Sequence, residues 1–345
     1  ECDERFGMED LEQLAEIVVN TLPREDDDAE GDGEEENGEE EEEGDGDAEM
    51  NDMFYDLNIA LPEAAGKPNG SMSSQEWARV IQTIEQAREL GYGVVALNQV
   101  ISGKLTPDHL KIWTTMPNMS NAQLSWSLQT GKRTLKECGS VSKVSRNSIR
   151  VLRRVTALIS EADHGHSVSG TATSNEYDLV AVRPLNEKML MAASGGSWTN
   201  IDMISLDMAA RWGFFAKHKT VGQALSLGYA LEISYQGALD SSTRHQWVSN
   251  TAAVVRVTRG RNLVWTSGVQ RAFDLRSPYD VTNLGDAVQL NKDLTKRGVS
   301  ENARALLVHA FTRTGTLRAA VAVSENKRAM KEDGAPNKRA RIEMR

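Results

Sequence analysis

From Met53 onward the chain alternates short apolar runs with longer amphipathic stretches, and this rhythm restricts the fold more than any other feature. Runs at 54–59, 94–98, 151–159, 179–182, 203–206, 230–234 and 263–266 are rich in Val, Ile, Leu and aromatic residues and predict strands. The stretches at 74–90, 185–193, 220–227, 241–258, 280–290 and 303–311 carry apolar residues at helical spacing. The first is the clearest. Ser73 or Ser74 can cap it, Trp77, Val80, Ile81, Ile84 and Ala87 form one apolar face, and Gly91 stops it. Seven strands alternating with helices predict a parallel α/β architecture. Residues 53–323 (323 − 53 + 1 = 271) match the roughly 250 of a TIM barrel. A doubly wound sheet is the main alternative, but no Gly-rich dinucleotide turn follows the first strand. One segment, 114–148, breaks the rhythm; it is rich in Ser, Asn and Thr and reads as a loop insertion.

Charge divides the same chain differently. The whole sequence holds 39 Lys plus Arg and 50 Asp plus Glu, a net of −11. Residues 1–52 contain 25 of the acids and only two bases, Arg5 and Arg24, a net of −23. What remains is 37 bases against 25 acids, a net of +12 from Met53. The run at 25–52 has too little apolar surface to offset chain entropy and is expected to be disordered. Because the chain starts at Glu1 and its composition changes abruptly at Met53, the leader 1–52 reads as a shield for the basic part, a binder of something basic or, the favoured reading, a gene-model extension. The polar tail 324–345 carries Lys327 and Arg328, then Lys338, Arg339 and Arg341, a spacing like that of a bipartite nuclear import signal. Cys2 and Cys138 cannot build a disulfide framework, and no apolar run reaches the length of a membrane span.

Several chemistries are excluded by residue type. Gly131-Lys132 is followed by Arg133 rather than Ser or Thr, and neither a Cys-x-x-Cys pair nor a Gly-x-Ser-x-Gly elbow is present. His164 and His166 could share an ion from an extended chain, but their Gly/Ser/Thr-rich surroundings read more simply as an exposed loop. Asp56, Asp207 and Glu232 fall near strand ends, where barrel enzymes place their sites. Acids there commonly cap or turn the chain, and no ligand cluster stands out.

The bases are more informative. Residues 132–154 include eight Lys or Arg and one acid, Glu137. A second group comprises Arg211, Lys217, His218, Lys219, Arg244, His245, Arg256, Arg259 and Arg261, with Trp212, Phe214, Phe215 and Trp247 interleaved. Arginine matches phosphate geometry and aromatic rings stack on unpaired bases, so the combination favours a nucleic-acid partner over an ordinary solvated helix face.

Longer segments carry a family signature. MFYDLNIALP (53–62), ELGYGVVALN (89–98), EYDLVAVRPLNEKMLMAA (176–193), NIDMISLDM (200–208), RWGFFAKHKTVGQALSLGYALEISYQGAL (211–239), RSPYDVTNLG (276–285) and ARALLVHA (303–310) follow one another in order. Together they resemble the TIM-barrel, thirty-kilodalton protein subunit family of nuclear ribonuclease P and ribonuclease MRP. The resemblance implies an α/β barrel over 53–323, akin to the polymerase-and-histidinol-phosphatase type. It implies a protein with no catalytic residues and no metal of its own. The RNA subunit, with bound magnesium, cleaves the 5′ leader of precursor tRNA in one particle and precursor rRNA in the other. It further implies a ferredoxin-like small partner subunit, contact with both RNAs, and a nuclear, nucleolar setting. Arg211, Lys217, Lys219, Arg244, Arg256, Arg259 and Arg261 are the expected RNA contacts. The related phosphoesterases carry His-x-His at the first strand, where this chain has Asp56-Leu57-Asn58. Side chains two apart on a strand share a face, so these read as vestigial metal-site positions of retained geometry and lost imidazoles. A metal-dependent phosphoesterase on the same barrel is the alternative function.

Overall fold

The computed structural model describes residues 53–116, 124–126, 149–169 and 172–315. The acidic leader, the nuclear-import clusters and most of the 114–148 segment lie outside them.

Eight strands form one parallel sheet: β1 (Phe54–Ala60), β2 (Tyr92–Ser102), β3 (Leu124–Trp126), β4 (Ile149–Ile159), β5 (Leu179–Pro184), β6 (Met203–Ser205), β7 (Ala230–Ser234) and β8 (Leu263–Thr266). Around it run the principal helices α1 (Ser74–Glu89), α2 (Ala162–Val168), α3 (Glu187–Ser194), α4 (His218–Ser226), α5 (Arg244–Thr258), α6 (Pro278–Asp286), α7 (Lys292–Val299) and α8 (Glu301–Gly315). The strand path β1-β2-β4-β5-β6-β7-β8 turns back on itself. Gly268 N donates to Asn58 O and Ala60 N to Val269 O, both at 2.9 Å, so the segment after β8 joins β1 and completes the ring. All seven strands expected from the apolar runs are present, and the architecture is the TIM-like barrel that the alternation predicts.

Two cores follow from the strand period of two. Val95, Leu97, Val155, Val180, Ile204, Ile233 and Trp265 point outward and pack beneath the helices with Trp77, Ile84 and Trp247. Tyr55, Leu57, Ala96, Leu152, Ala181, Met203 and Val264 fill the interior, joined there by Ala303, Leu306 and Ala310 of α8. The last helix therefore plugs the N-terminal mouth of the barrel. Because strands are buried on both faces, their sequences are nearly continuous apolar runs.

Local signals set the element ends. Ser73 and Glu76 form a capping box at α1, and Gly91, at φ 98°, turns the chain into β2 in a conformation L-residues rarely adopt. Ser277 and Asp280 repeat the box at α6, with Pro278 at its first position.

The structure corrects two readings and adds one element that the sequence does not announce. The segment holding His164 and His166 is not a loop: it is α2, and Gly165 lies so close to Trp198 that an added Cβ would sit 2.0 Å from the ring. At about 100° per residue, side chains two apart on a helix diverge, which removes the shared-ion geometry. The 114–148 segment is not wholly loop, since β3 pairs with Ile149–Val151. With β2 on the other edge of β4, β3 must extend the edge that β5 occupies further along. Finally, α7 leaves little trace in the sequence, because its polar LysAsp…LysArg stretch presents only Leu294, Thr295, Gly298 and Val299 inward or to its neighbours.

Candidate nucleic-acid interface

A barrel enzyme would gather its chemistry at the C-terminal mouth, and polar residues do converge near that end. Asn58, Asn98, Arg154, Thr156, Glu232 and Thr266 project into the barrel from β1, β2, β4, β7 and β8, all buried. Arg154 and Glu232, 0% and 1% exposed, form a two-pronged ion pair: Nη1 to Oε1 and Nη2 to Oε2, both at 2.6 Å. Glu232 Oε1 also accepts from Asn58 Nδ2 at 2.9 Å and Thr266 Oγ1 at 2.8 Å. Arg154 Nη1 donates to Leu57 O at 2.7 Å, and its Nε and Nη2 reach Thr156 Oγ1. Thr156 donates to Asn98 Oδ1 and Asn98 to Asn58 Oδ1, each at 2.8 Å, which closes the circuit. Burial pushes the Glu232 carboxyl up, but the Arg154 charge and the hydrogen bonds from Arg154, Ser205 and Thr266 outweigh it and bring it down to about 2. An ionised carboxylate so held is a poor proton acceptor. Its chemistry is structural.

Asp56 differs. Its Oδ1 accepts from Ser267 N at 3.0 Å and Asn58 N at 3.2 Å, while buried Oδ2 has no hydrogen-bond partner. Burial raises its pKa, and hydrogen bonds from Ser267 and Asn58 oppose the rise only in part. The expectation that Asp56 and Asn58 share a face fails. Asp56 pairs with Val95 and Ile59 with Leu97, leaving both Leu57 and Asn58 opposite Ala96. That bulge turns Leu57 and Asn58 into the barrel and leaves Asp56 in register with outward-facing Val95. Among the described residues, no group of three or more His, Cys, Asp or Glu is placed to hold a metal ion. Asp207 behaves as a strand-end acid often does, accepting from Ala209 N and Ala210 N to shape the turn.

The seven expected RNA contacts are all exposed, and they divide into two groups. Arg211, Lys217 and Lys219 follow β6, and Arg244 opens α5, at the C-terminal end of the barrel. Arg256, Arg259 and Arg261 close α5 and lead into β8, at the opposite end. A 15-residue helix separates the groups by about 22 Å, so they make two charged areas rather than one. Arg244 is partly committed, donating to Ala238 O and Leu239 O. Lys217 meets Glu187 at 2.6 Å in a surface pair. Arg153 and Arg154, counted with the bases of 132–154, are not free surface charge: Arg153 lies over Trp113 and Arg154 is at the barrel centre. Nothing in the sequence marks Arg154 as Glu232's partner; only their opposed inward positions on β4 and β7 do. Trp247 likewise belongs to the core, edge-on to Trp265.

These features define a parallel (β/α) barrel whose inner charges neutralise one another and whose unneutralised charge lies outside. Residues 53–314 match the family described as RNase P subunit p30, and the chain belongs to that family. It is 28% identical over 267 residues to Probable ribonuclease P protein subunit 3 of Schizosaccharomyces pombe, covering 77% of this chain and 97% of that one. It is 27% identical over 239 residues to Ribonuclease P protein subunit p30 of Mus musculus, covering 67% and 80% respectively. Identity to Ribonuclease P/MRP protein subunit RPP1 of Saccharomyces cerevisiae is 27% over 263 residues, covering 76% and 82%.

Proposed function

We propose that this chain is a noncatalytic, RNA-contacting protein subunit of the ribonuclease P and ribonuclease MRP particles. The observation that carries this reading is family membership across the whole barrel, 53–314. In this reading the RNA subunit, with its magnesium, performs cleavage, and the barrel supports 5′-leader removal from precursor tRNA and processing of precursor rRNA. Its partners are the two particle RNAs, a ferredoxin-like small subunit and other proteins of the holoenzyme. The central Arg154–Glu232 pair favours a supporting role over hydrolysis, since it is locked by the surrounding hydrogen bonds. The basic clusters Lys327-Arg328 and Lys338-Arg339-Ala340-Arg341 would direct the chain to the nucleus and nucleolus.

The test is purification of the tagged full chain from its own cells, followed by sequencing of the RNA that accompanies it. A ribonuclease P-type RNA is expected. Its absence in replicate purifications would overturn the reading. So would metal-stimulated phosphoester turnover by the purified chain that disappears on changing Asp56 or Asp207.

A further inference from the structure

One exposed strip of the molecule has features that the supporting role of the barrel does not use. Between Asp207 and Glu232 the sequence contains no acidic residue, yet it holds Arg211, Lys217, His218 and Lys219. Over 211–217 the chain is neither helix nor strand, and its burial alternates residue by residue. Trp212, Phe214 and Ala216 face the core; Arg211, Gly213, Phe215 and Lys217 face solvent. The alternation sets these four residues on one solvent-facing side, along a path that bends at Gly213 and Phe214.

The strip is anchored from below. Trp212 Nε1 donates to Asp207 O at 2.6 Å, and Asn250 Nδ2 of α5 donates to Met208 O and Ala210 O at 3.0 and 2.8 Å. Trp212 and Phe214 stack at 6.0 Å with their planes 7° apart, forming a half-buried base under the outer face. Phe215, next in the chain after Phe214, is 85% exposed. A ring left in water on a pinned backbone forgoes the stabilisation of burial and calls for a partner.

The composition of the face chooses the partner. Phe273 is as exposed, at 86%, but its neighbours Arg271 and Asp274 neutralise one another in an ion pair at 2.8 Å. Phe215 lies between Arg211 and Lys217. Among the described residues, the acid that reaches this face is Glu187, through a pair with Lys217 in which both side chains are substantially exposed. Exposed pairs of this kind are worth little and exchange readily for another anion. Gly213 between Arg211 and Phe215 has open space where a side chain would stand, so an occupant can approach the backbone there.

We propose that Arg211, Gly213, Phe215 and Lys217 form a platform for single-stranded RNA, with an unpaired base stacked on Phe215 and the flanking phosphates neutralised by Arg211 and Lys217. The proposal rests on the RNA-contact reading above. Ring stacking is tolerant of base identity and requires an unpaired base.

The experiment measures binding of the full chain to two probes, a 12-nucleotide oligouridylate and an RNA duplex of 12 base pairs. Phe215→Ala is expected to weaken oligouridylate binding about tenfold, with duplex affinity and the salt dependence of both unchanged. Phe215→Tyr should keep wild-type affinity, and the thermal midpoints of all three proteins should agree because the ring is exposed. Wild-type binding of oligouridylate that Phe215→Ala leaves unaltered would overturn the platform while the RNA-contact reading stands. Binding of neither probe by the wild type would overturn both. If Phe215→Ala instead costs association with a protein subunit of the holoenzyme and spares RNA affinity, Phe215 is a protein-docking residue and the platform is refuted.

Discussion

Arg154 and Arg211 are the same residue type in opposite circumstances. Arg154, inside the barrel, gives its donors to Glu232, Leu57 and Thr156, and its charge is matched by a carboxylate 2.6 Å away. Arg211, outside, belongs to a strip without acids of its own. Removing the inner charge disrupts a network of side chains from five strands; removing an outer one changes the field that a polyanion meets and little else. Counting bases along the sequence merges these two populations. Only the fold separates charge that holds the barrel together from charge available to a partner.

The sharpest way to break this distinction is Arg154→Ala. Glu232 would be left buried, ionised and unpaired, and the expected loss is about 3–5 kcal/mol of folding stability, read by urea denaturation of the full chain. Replacing both partners, Arg154→Met with Glu232→Leu, should recover most of that loss because no charge is then stranded. If Arg154→Ala were near neutral, the network would be ornamental and Glu232 would be free for other chemistry. Next in size is Gly165→Ala. A Cβ 2.0 Å from Trp198 forces α2 away from the core, and overpacking of this kind costs about 1–3 kcal/mol. An unchanged denaturation midpoint would show that α2 is loosely held.

Much of this architecture is legible in the sequence. The seven strands and six of the helices appear at their predicted places because double burial and 3.6-residue periodicity leave strong traces in composition. The capping box at Ser73 and Glu76 can also be read directly. Features that depend on pairing across the barrel cannot. The Leu57–Asn58 bulge has no local marker, since FYDLNIA alternates acceptably in either register. The Arg154–Glu232 pair joins residues 78 apart in sequence. α2 is hidden because its Gly and Ser content resembles a loop, and the glycine is there to admit Trp198. The exposed aromatic at 215 is visible as a residue type. Its separation from inward Trp212 and Phe214 needs the backbone path.

On the outer surface the expected stability effects are smaller and the functional ones specific. Changing Arg256, Arg259 and Arg261 together to Ala should alter stability by no more than about 0.5 kcal/mol per site. The same variant should flatten the dependence of log binding constant on log salt by about 0.7 for each phosphate of single-stranded RNA that is no longer neutralised. A normal salt slope would exclude these three from the interface and leave the C-terminal group of bases to account for binding.

The smallest effect concerns Asp56, and its sign separates it from Glu232. Glu232 has a folded pKa below its unfolded value, so its stabilisation is full above the ordinary 4.5 and is lost as pH falls toward about 2. Asp56 is the reverse. Burial raises its folded pKa above 3.8, so the folded state takes up its proton more readily than the unfolded chain. Its contribution to stability is therefore greatest below 3.8 and declines as pH rises through the folded value. Asp56→Asn keeps an oxygen to accept from Ser267 N and Asn58 N and removes the ionisation. The variant should be at least as stable as the wild type at neutral pH, and the decline just above pH 3.8 should disappear from its stability profile. Urea midpoints of the two proteins, measured from about pH 3 to 7, test this. A variant less stable than the wild type at neutral pH would mean that the Asp56 carboxylate is held by a partner for its second oxygen, and that the bulge beside it is there to present a charge.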